Sequence, residues 1–315
     1  MTPVKIILLC GGAQLALPAL KALAFSQLLA AVVIPDHCID MLEEVTGGLN
    51  GSGIPVITVN KTSVEEKLKQ AVMEYEASLG LVITFSFKIP ASVFTLPKFG
   101  FYNVHPGPLP SYRGPDPVFR QIKNQEKFAG VSIHQVSDAF DAGPVFLTES
   151  IMLEKTDTHG MLSSKLGHLC AKMVMVLIKI VAFEMQVPLK QQDPLKAVYY
   201  KKQGAKEVCV NWETMDAASI VALINACNPW NKGVSVRLNG QLLKLLGAEN
   251  VVDKPELDVH NPGSIISVSE QGMLVAAAGN SILKVKLISC SEGFLHPFTL
   301  RKFYNFEDRK FDTII

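Results

Sequence analysis

The stretch Phe101-Tyr-Asn-Val-His-Pro-Gly-Pro-Leu-Pro-Ser-Tyr-Arg-Gly114 decides how this chain is interpreted. Asn103 and His105 are two residues apart at the end of an apolar run, so on a β-strand both side chains point to one face. The prolines that follow exclude a helix and predict a stiff, extended rim. A carboxylate, Asp141, follows in a second loop bounded by Gly and Pro. An amide, an imidazole and a carboxylate on converging loops suit acyl-transfer chemistry, so Asn103, His105 and Asp141 are the candidate catalytic residues.

Outward from this stretch, short β-rich runs alternate with helical patterns over the first two hundred residues. This alternation predicts an α/β, Rossmann-like domain with a parallel sheet. A segment rich in Pro, Gln, Lys and Tyr then predicts a linker. Short strands with Gly and Asn turns follow, which predicts a small OB-like β-barrel domain. The expected domains are residues 1–190 (catalytic), 191–206 (linker) and 207–315 (barrel).

Composition excludes several classes of protein. The 315 residues include 30 Lys and Arg against 29 Asp and Glu, so no global field favours a polyanion. The six cysteines are scattered without a Cys-x-x-Cys pair, which favours reduced thiols. The N-terminal run lacks the pattern of a signal peptide, and the most apolar later stretch is interrupted by Lys172 and Lys179. We therefore expect a cytoplasmic protein that does not enter membranes.

Two other cofactor classes are disfavoured by their motifs. The Gly11-Gly12 pair is not a full Gly-x-Gly-x-x-Gly, so it indicates a plain strand-to-helix turn rather than a dinucleotide site. A His-Glu-x-x-His arrangement is also missing from the sequence, and we expect no metal.

The motifs resemble those of the methionyl-tRNA formyltransferase family, whose members use 10-formyltetrahydrofolate. The matching segments are Asn103-Val-His105, Leu109-Pro-Ser-Tyr-Arg-Gly114 and Asp141-Ala-Gly143, with Gly130-Val-Ser-Ile-His134 similar to the strand before the Asp loop. Val210-Asn-Trp212, Asn228-Pro-Trp230 and Pro262-Gly-Ser-Ile-Ile266 resemble the family's C-terminal domain. The resemblance therefore covers nearly the whole chain.

This resemblance implies a formyltransferase in which an amine attacks the formyl carbon. Asn103 would donate to the oxyanion, His105 would carry the proton, and Asp141 would orient His105. Tyr112, Arg113 and Gly114 would contact the acceptor, although Arg113 equally fits a contact that fixes the loop. His134, in mid-strand, is interpreted as structural or solvent-facing.

The same resemblance implies a folate site between two loops. The pterin would lie against the backbone of Thr84–Pro90, with the loop of Phe140 on its other side, and apolar walls would enclose it. The residues expected to bind this co-substrate are Phe85, Ser86, Phe87, Ile89, Pro90, Leu109, Pro110, Ser137, Asp138 and Phe140.

The chain departs from the family where the family carries a basic loop for initiator tRNA. Residues 35–50 include Asp36, Asp40, Glu43 and Glu44 but no Lys or Arg, and an acidic loop repels phosphate. From residue 201 onward thirteen basic residues stand against twelve acidic ones, which is a poor platform for tRNA. The expected partners are therefore the folate and a primary amine, such as an amino sugar or an amino-acid derivative. A true methionyl-tRNA formyltransferase, a 10-formyltetrahydrofolate hydrolase and a non-catalytic folate-binding module stay open as alternatives.

Overall fold

The computed structural model describes residues 4–252, 260–304, 306 and 309–312. The chain divides into two compact units. The first comprises the chain up to Pro117, Phe128–Met152 and Ser163–Lys201. The second comprises Val118–Lys127, Leu153–Leu162 and the chain from Lys202 onward. The expected linker, 191–206, therefore straddles the division, and the domain boundaries stay a prediction.

Up to residue 182 the chain follows an alternating order of strands and helices. The elements are β1 (Ile6–Cys10), α1 (Ala13–Phe25), β2 (Leu29–Pro35), α2 (Ile39–Gly48), β3 (Val56–Val59), α3 (Val64–Glu74), β4 (Leu79–Ile83), α4 (Ala91–Phe94), β5 (Phe101–His105), α5 (Pro117–Lys123), β6 (Phe128–Gln135), β7 (Val145–Met152) and α6 (His159–Ala182).

The first unit is built on a seven-stranded sheet with the order β3-β2-β1-β4-β5-β6-β7. Strands β1 to β5 pair in parallel, while β6 pairs antiparallel with β5 and β7. Every residue of β1 and β4 is buried, as expected for parallel strands covered on both faces. The α/β, Rossmann-like fold predicted from the sequence is confirmed, with two antiparallel strands added at one edge.

Alternating side chains of the sheet build the core of this unit. Ile7 and Leu9 of β1 and Val33 of β2 pack with Leu68 and Val72 of α3 in one buried cluster. The apolar residues of α3 recur at helical spacing and leave its charged residues exposed, which explains why this segment is a helix.

The acidic segment interpreted as a loop contains a helix, α2. Met41 and Val45 are buried at a spacing of one helical turn, and the following Leu49 is buried as well. Asp36, at the end of β2, and the acidic residues of α2 remain exposed; the latter are Asp40, Glu43 and Glu44. The description as a loop was wrong, and the structure shows that the acidic groups are exposed.

The second unit has an antiparallel sheet, as the sequence predicts. The elements are α7 (Ala217–Ala226), β8 (Val234–Leu238), β9 (Gln241–Asn250), β10 (Ile265–Ser269), β11 (Gly272–Ala277), β12 (Ser281–Cys290), β13 (Gly293–Leu295), α8 (Pro297–Leu300) and β14 (Phe311–Asp312), preceded by 3-10 turns at Pro194–Lys196 and Ala205–Val208. The sheet order is β10-β11-β12-β9-β8-β14, with β13 paired to β12. Trp212 is fully buried and stacks on Phe311 at 5.3 Å between ring centroids.

Part of the expected C-terminal domain (residues 253–259, 305, 307–308 and 313–315) lies outside the described residues. Within the described ranges, none of the helices combines the length and the apolar character that crossing a membrane requires.

Candidate active site

The site is built where β5 ends. Asn103 and His105 point to the same face of β5, as the two-residue spacing predicts, and the adjacent antiparallel strand β6 places His134 opposite Asn103. The loop between β6 and β7 returns Asp141 to this face. Asp141 Oδ1 lies 3.3 Å from Asn103 Nδ2 and 3.5 Å from His105 Nδ1. Asp141 therefore contacts both of the other residues predicted as catalytic.

The protonation of His105 follows from its partners. Its Nε2 lies 2.6 Å from the carbonyl oxygen of Tyr112. A carbonyl only accepts, so Nε2 carries the hydrogen, and Nδ1, which faces Asp141, is the nitrogen that can take up a proton. Burial lowers the pKa of His105, and this effect exceeds the opposing effects of Asp141 and of the Tyr112 carbonyl. The ring is therefore neutral at neutral pH and able to act as a base.

Asp141 is an ionised carboxylate held from several sides. Its Oδ2 accepts the Gly114 N–H at 2.8 Å. Burial raises the pKa of this carboxyl, but the His134 and His105 rings, when protonated, and the Gly114 N–H together lower it to about 2. The carboxylate is thus in place to stabilise His105 once that ring becomes charged.

His134 belongs to the same cluster and is not solvent-facing. It is buried, and its Nε2 lies 3.1 Å from Asn103 Nδ2 and 3.5 Å from Asp141 Oδ1. Its Nδ1 lies 3.0 Å from the carbonyl oxygen of Gln135, so in the neutral ring Nδ1 carries the hydrogen and Nε2 accepts. The Asn103 amide must therefore face His134 with its NH₂ group, which fixes the orientation of the amide.

The residues expected around the folate lie in three places. Phe85 and Phe87 meet edge to face at 5.7 Å and pack, partly buried, on the core that includes Ile89. Pro90 directly precedes α4, and Ser86 Oγ lies 3.3 Å from His37 Nε2. Leu109, followed by Pro110, donates its N–H to Ser132 at 3.0 Å.

The expected folate residues of the third place belong to the loop before Asp141. Ser137 and Asp138 line a cavity of about 730 Å³, together with Phe101 and Tyr102 at the beginning of β5. Phe140 is 54% exposed. His105 ends β5, so this cavity and His105 lie at opposite ends of the strand. The folate-binding role of all these residues stays a prediction.

The residues expected to meet the acceptor have structural contacts as well. Tyr112 is buried and stacks on Tyr200 at 5.4 Å between centroids. Arg113 donates from Nε and Nη2 to Gln192 Oε1, at 3.0 and 2.8 Å. Gly114 donates to Asp141. Contact of these three residues with an acceptor stays a prediction.

Sequence reasoning interpreted His134 as structural or solvent-facing without placing it in the cluster, and it did not single out Gln192. The pattern of β6 could have indicated His134, because it is the residue opposite Asn103 when the two strands pair antiparallel. Gln192 lies 51 residues from Asp141 in sequence, in a segment interpreted as a linker, and its spacing gave no signal. Across the part of the chain that the structure describes, groups of three or more His, Cys, Asp or Glu side chains suited to a metal ion are not found.

Comparisons of the sequence agree with the geometry. Residues 32–178 match the formyl transferase family, and residues 203–294 match the formyl transferase C-terminal domain. The methionyl-tRNA formyltransferase of Kosmotoga olearia is 33% identical over 73% of this chain and 72% of its own length. That of Nitrosospira multiformis is 31% identical over 73% of this chain and 71% of its own length.

Solved structures show the same fold at lower identity. HypX from Aquifex aeolicus, in complex with tetrahydrofolic acid, superposes with a TM-score of 0.63 and 17% identity over 97% of this chain. This chain spans 48% of HypX. The N-formyltransferase of Helicobacter canadensis, in complex with folinic acid and dTDP-3-aminofucose, gives a TM-score of 0.63 and 14% identity over 90% of this chain and 98% of its own.

The two family matches include residues of both units, and Asn103, His105 and Gly114 of the N-terminal motifs contact Asp141. The chain therefore belongs to the formyl transferase family and is a formyltransferase.

Proposed function

We propose that this enzyme transfers a formyl group from 10-formyltetrahydrofolate to the nitrogen of a small primary amine, such as an amino sugar or an amino-acid derivative. The contact of Asn103, His105 and Asp141 at the end of β5 carries the proposal for the chemistry. Structures of similar fold that hold tetrahydrofolic or folinic acid support the folate as donor. A cytoplasmic location stays a prediction.

Each residue of the cluster has one task in this reaction. His105 accepts the proton of the attacking amine at Nδ1, because its Nε2 hydrogen is committed to the Tyr112 carbonyl. Asp141, at 3.5 Å, stabilises the imidazolium that results. The proton then passes from Nδ1 to the departing folate nitrogen, and the neutral ring is restored.

Asn103 supports the oxyanion that forms on the formyl oxygen. Its two amide hydrogens are directed to His134 at 3.1 Å and to Asp141 at 3.3 Å. The contact to Asp141 is the longer one, so this hydrogen is the one that a formyl oxygen takes over. The contact to His134 keeps the amide in place meanwhile, and such a donor aimed at developing charge is a major source of rate enhancement.

The acidic surface of α2 supports a small amine as acceptor. Asp36 directly follows β2 and lies at the carboxyl end of the sheet, where the parallel strands β1, β2, β4 and β5 also end. Glu43 and Glu44 are exposed on α2. Ligands of open α/β sheets bind at this edge. A negative surface there attracts a protonated amine and repels the phosphates of tRNA.

Product formation from 10-formyltetrahydrofolate tests the proposal directly. The purified enzyme is assayed with charged initiator tRNA, with nucleotide-linked amino sugars and with amino-acid derivatives, and tetrahydrofolate release is followed for each. We expect an N-formyl product with a small amine. Formylated methionyl-tRNA as the favoured product would replace the proposed acceptor, and formate released at the same rate without any acceptor would indicate a hydrolase.

A further inference from the structure

The segment from Lys190 to Tyr200, which we call the strap, lies along the two loops that carry the active site. Val145 and Lys190 exchange two backbone hydrogen bonds of 2.8 Å. Farther along, the Val198 N–H donates to the Pro110 carbonyl at 3.1 Å, and the Tyr200 N–H donates to the Arg113 carbonyl at 2.9 Å. All of these residues belong to the first unit. The strap is therefore hydrogen-bonded to both loops rather than separate from them.

One side chain of the strap, Gln192, joins three segments. Its Nε2 donates to the carbonyl oxygens of Asp141 at 2.8 Å and Gly143 at 2.7 Å. Its Oε1 accepts from Arg113 Nε at 3.0 Å and Nη2 at 2.8 Å. Both donors of the amide and both lone pairs of its oxygen are thus in use.

The two carbonyl groups that accept from Gln192 belong to a backbone segment with an unfavourable conformation at Asp141 and close packing at Gly143. Asp141 adopts a φ of 53°, in the left-handed region that is unfavourable for a residue with a side chain. Gly143 is closely packed, because a Cβ there would lie 1.8 Å from the Gln135 carbonyl oxygen. A Cβ on Gly114 would lie 2.1 Å from the Tyr200 carbonyl oxygen, so the strap also fixes the residue whose N–H binds the Asp141 carboxylate.

We propose that Gln192 is a positioning residue for the reaction. Its hydrogen bonds to Asp141, Gly143 and Arg113, which we call the brace, hold the Asp141 carboxylate beside His105 and bind the Arg113 guanidinium. Arg113 then acts through Gln192 and the Asp141 loop and not by contact with the acceptor. The kinetic consequence rests on the proposed formyl transfer, whereas the structural consequence does not.

A double-mutant cycle tests the brace by its kinetics. Gln192→Met keeps the length of the side chain but removes its donors and its acceptor, and Arg113→Met removes the partner. We expect each variant to lower kcat by about tenfold, with both KM values within about twofold of wild type. The double variant should lose no more than either single variant, because both changes remove the same unit. Gln191→Met, at the exposed neighbouring position, is the matched control and should behave as wild type.

Gln192→Glu separates the hydrogen bonds with Arg113 from those to Asp141 and Gly143. A glutamate still accepts from Arg113, but it has no hydrogen to donate to Asp141 and Gly143. We therefore expect its kcat to resemble that of Gln192→Met. Wild-type turnover in Gln192→Glu would show that the hydrogen bonds to the loop are dispensable and would overturn the role given to Gln192.

Hydrogen exchange gives a readout that is independent of turnover. The Gly114 amide and the backbone from 137 to 146 are monitored by mass spectrometry, and we expect faster exchange in Gln192→Met but not in Gln191→Met. Unchanged exchange together with unchanged kcat in Gln192→Met would refute the brace. If Arg113→Met raises the KM for the acceptor while Gln192→Met has wild-type kinetics, Arg113 would instead be assigned to acceptor binding. If the wild-type enzyme formylates no acceptor, the proposed function fails while the exchange experiment still decides on the brace.

Discussion

At the scale of single residues, the Asn103 amide is held by two hydrogen-bond partners of its NH₂ group, His134 and Asp141. Its orientation follows from a chain of hydrogen bonds: the Gln135 carbonyl fixes the tautomer of His134, and His134 fixes the amide. An NH₂ group held in advance needs no reorganisation when charge develops on the formyl oxygen. The role proposed for Asn103 therefore predicts that turnover depends on each member of this chain of hydrogen bonds.

We expect Asn103→Ala to lower kcat by roughly 10²–10³-fold, the usual cost of removing an oxyanion donor, while the KM for the folate stays close to that of wild type. Steady-state formylation kinetics measure both constants. Asn50→Ala, at an exposed position after α2, is the control for an equivalent truncation. Turnover at the wild-type rate in Asn103→Ala would rule out this residue as the oxyanion donor.

His134 offers a test of orientation without contact to the reacting atoms. His134→Leu fills the buried position but accepts no hydrogen bond, so only the longer contact with Asp141 still orients the amide, and we expect kcat to fall about tenfold. His134→Gln can accept from Asn103 through its Oε1 and should recover most of this loss. The comparison of the two kcat values is the measurement. Equal activity of the Leu and Gln variants would mean that packing, and not the hydrogen bond, is what His134 contributes.

The residues of the site differ in how far the sequence alone could predict their contacts. Asn103 and His105 could be placed together because a strand repeats every two residues, which is a local property. His134 meets Asn103 only through the antiparallel register of β5 and β6, and Gln192 meets Asp141 only through the path of the strap. Local patterns do not encode contacts between residues so far apart in sequence, so these two partners emerged only from the structure.

At the scale of secondary structure elements, the segment of α2 carries a helical pattern of apolar residues, which its interpretation as a loop did not include. Met41, Val45 and Leu49 recur at a spacing of four, which is typical of a helix with one buried side. Gly47 and Gly48 have a low helix propensity, which the buried stripe of this helix outweighs. The acidic residues are consequently presented on the outer side of a regular helix.

This arrangement predicts a salt-dependent effect of α2 on a cationic acceptor. In the double variant Glu43→Lys/Glu44→Lys we expect kcat/KM for a protonated amine to fall roughly threefold at low ionic strength, and high salt should remove the difference. The same change on α3, Glu66→Lys/Glu74→Lys, alters the net charge equally and should have no such effect. Assays at two salt concentrations with one acceptor make the comparison. If the α2 variant gains kcat/KM for charged initiator tRNA and the wild type already formylates it, the small-amine proposal is contradicted.

At the scale of the whole molecule, the fold and the family were accessible from the sequence, while the acceptor was not. The α/β class of the first unit and the antiparallel sheet of the second follow from strand and helix periodicity, whereas the order of the strands came from the structure. Acceptor choice depends instead on a local surface, since a net charge of +1 gives the molecule no overall field. Relatives named for tRNA and neighbours of the same fold with amino-sugar ligands share this architecture. The fold alone therefore does not identify the acceptor, and the proposal for a small amine depends on the acidic surface of α2.

The buried charges of the site also set the stability of the molecule in acid. Asp141 has a pKa of about 2 in the folded chain against an ordinary value of 3.8, so the folded state favours its ionised form. Its contribution is present above pH 4 and is lost as the pH falls toward 2; its full size is about 2 kcal/mol. Burial lowers the pKa of His105, so the unfolded chain binds that proton more readily, and stability also declines as the pH falls below about 6.5.

Asp141→Asn should reduce the loss of folding stability in the lower of these two pH ranges and increase it in the upper one. Without the carboxylate, the loss of stability between pH 4 and pH 2 becomes smaller, because the proton uptake of Asp141 is gone. The loss between pH 6.5 and pH 4 becomes larger, because Asp141 is the charge that raises the pKa of His105 against the effect of burial. Urea unfolding followed by circular dichroism at several pH values measures both differences, with the exposed Asp138→Asn as control. Parallel stability curves for Asp141→Asn and wild type across this pH range would show that the two groups are not coupled as the 3.5 Å distance requires.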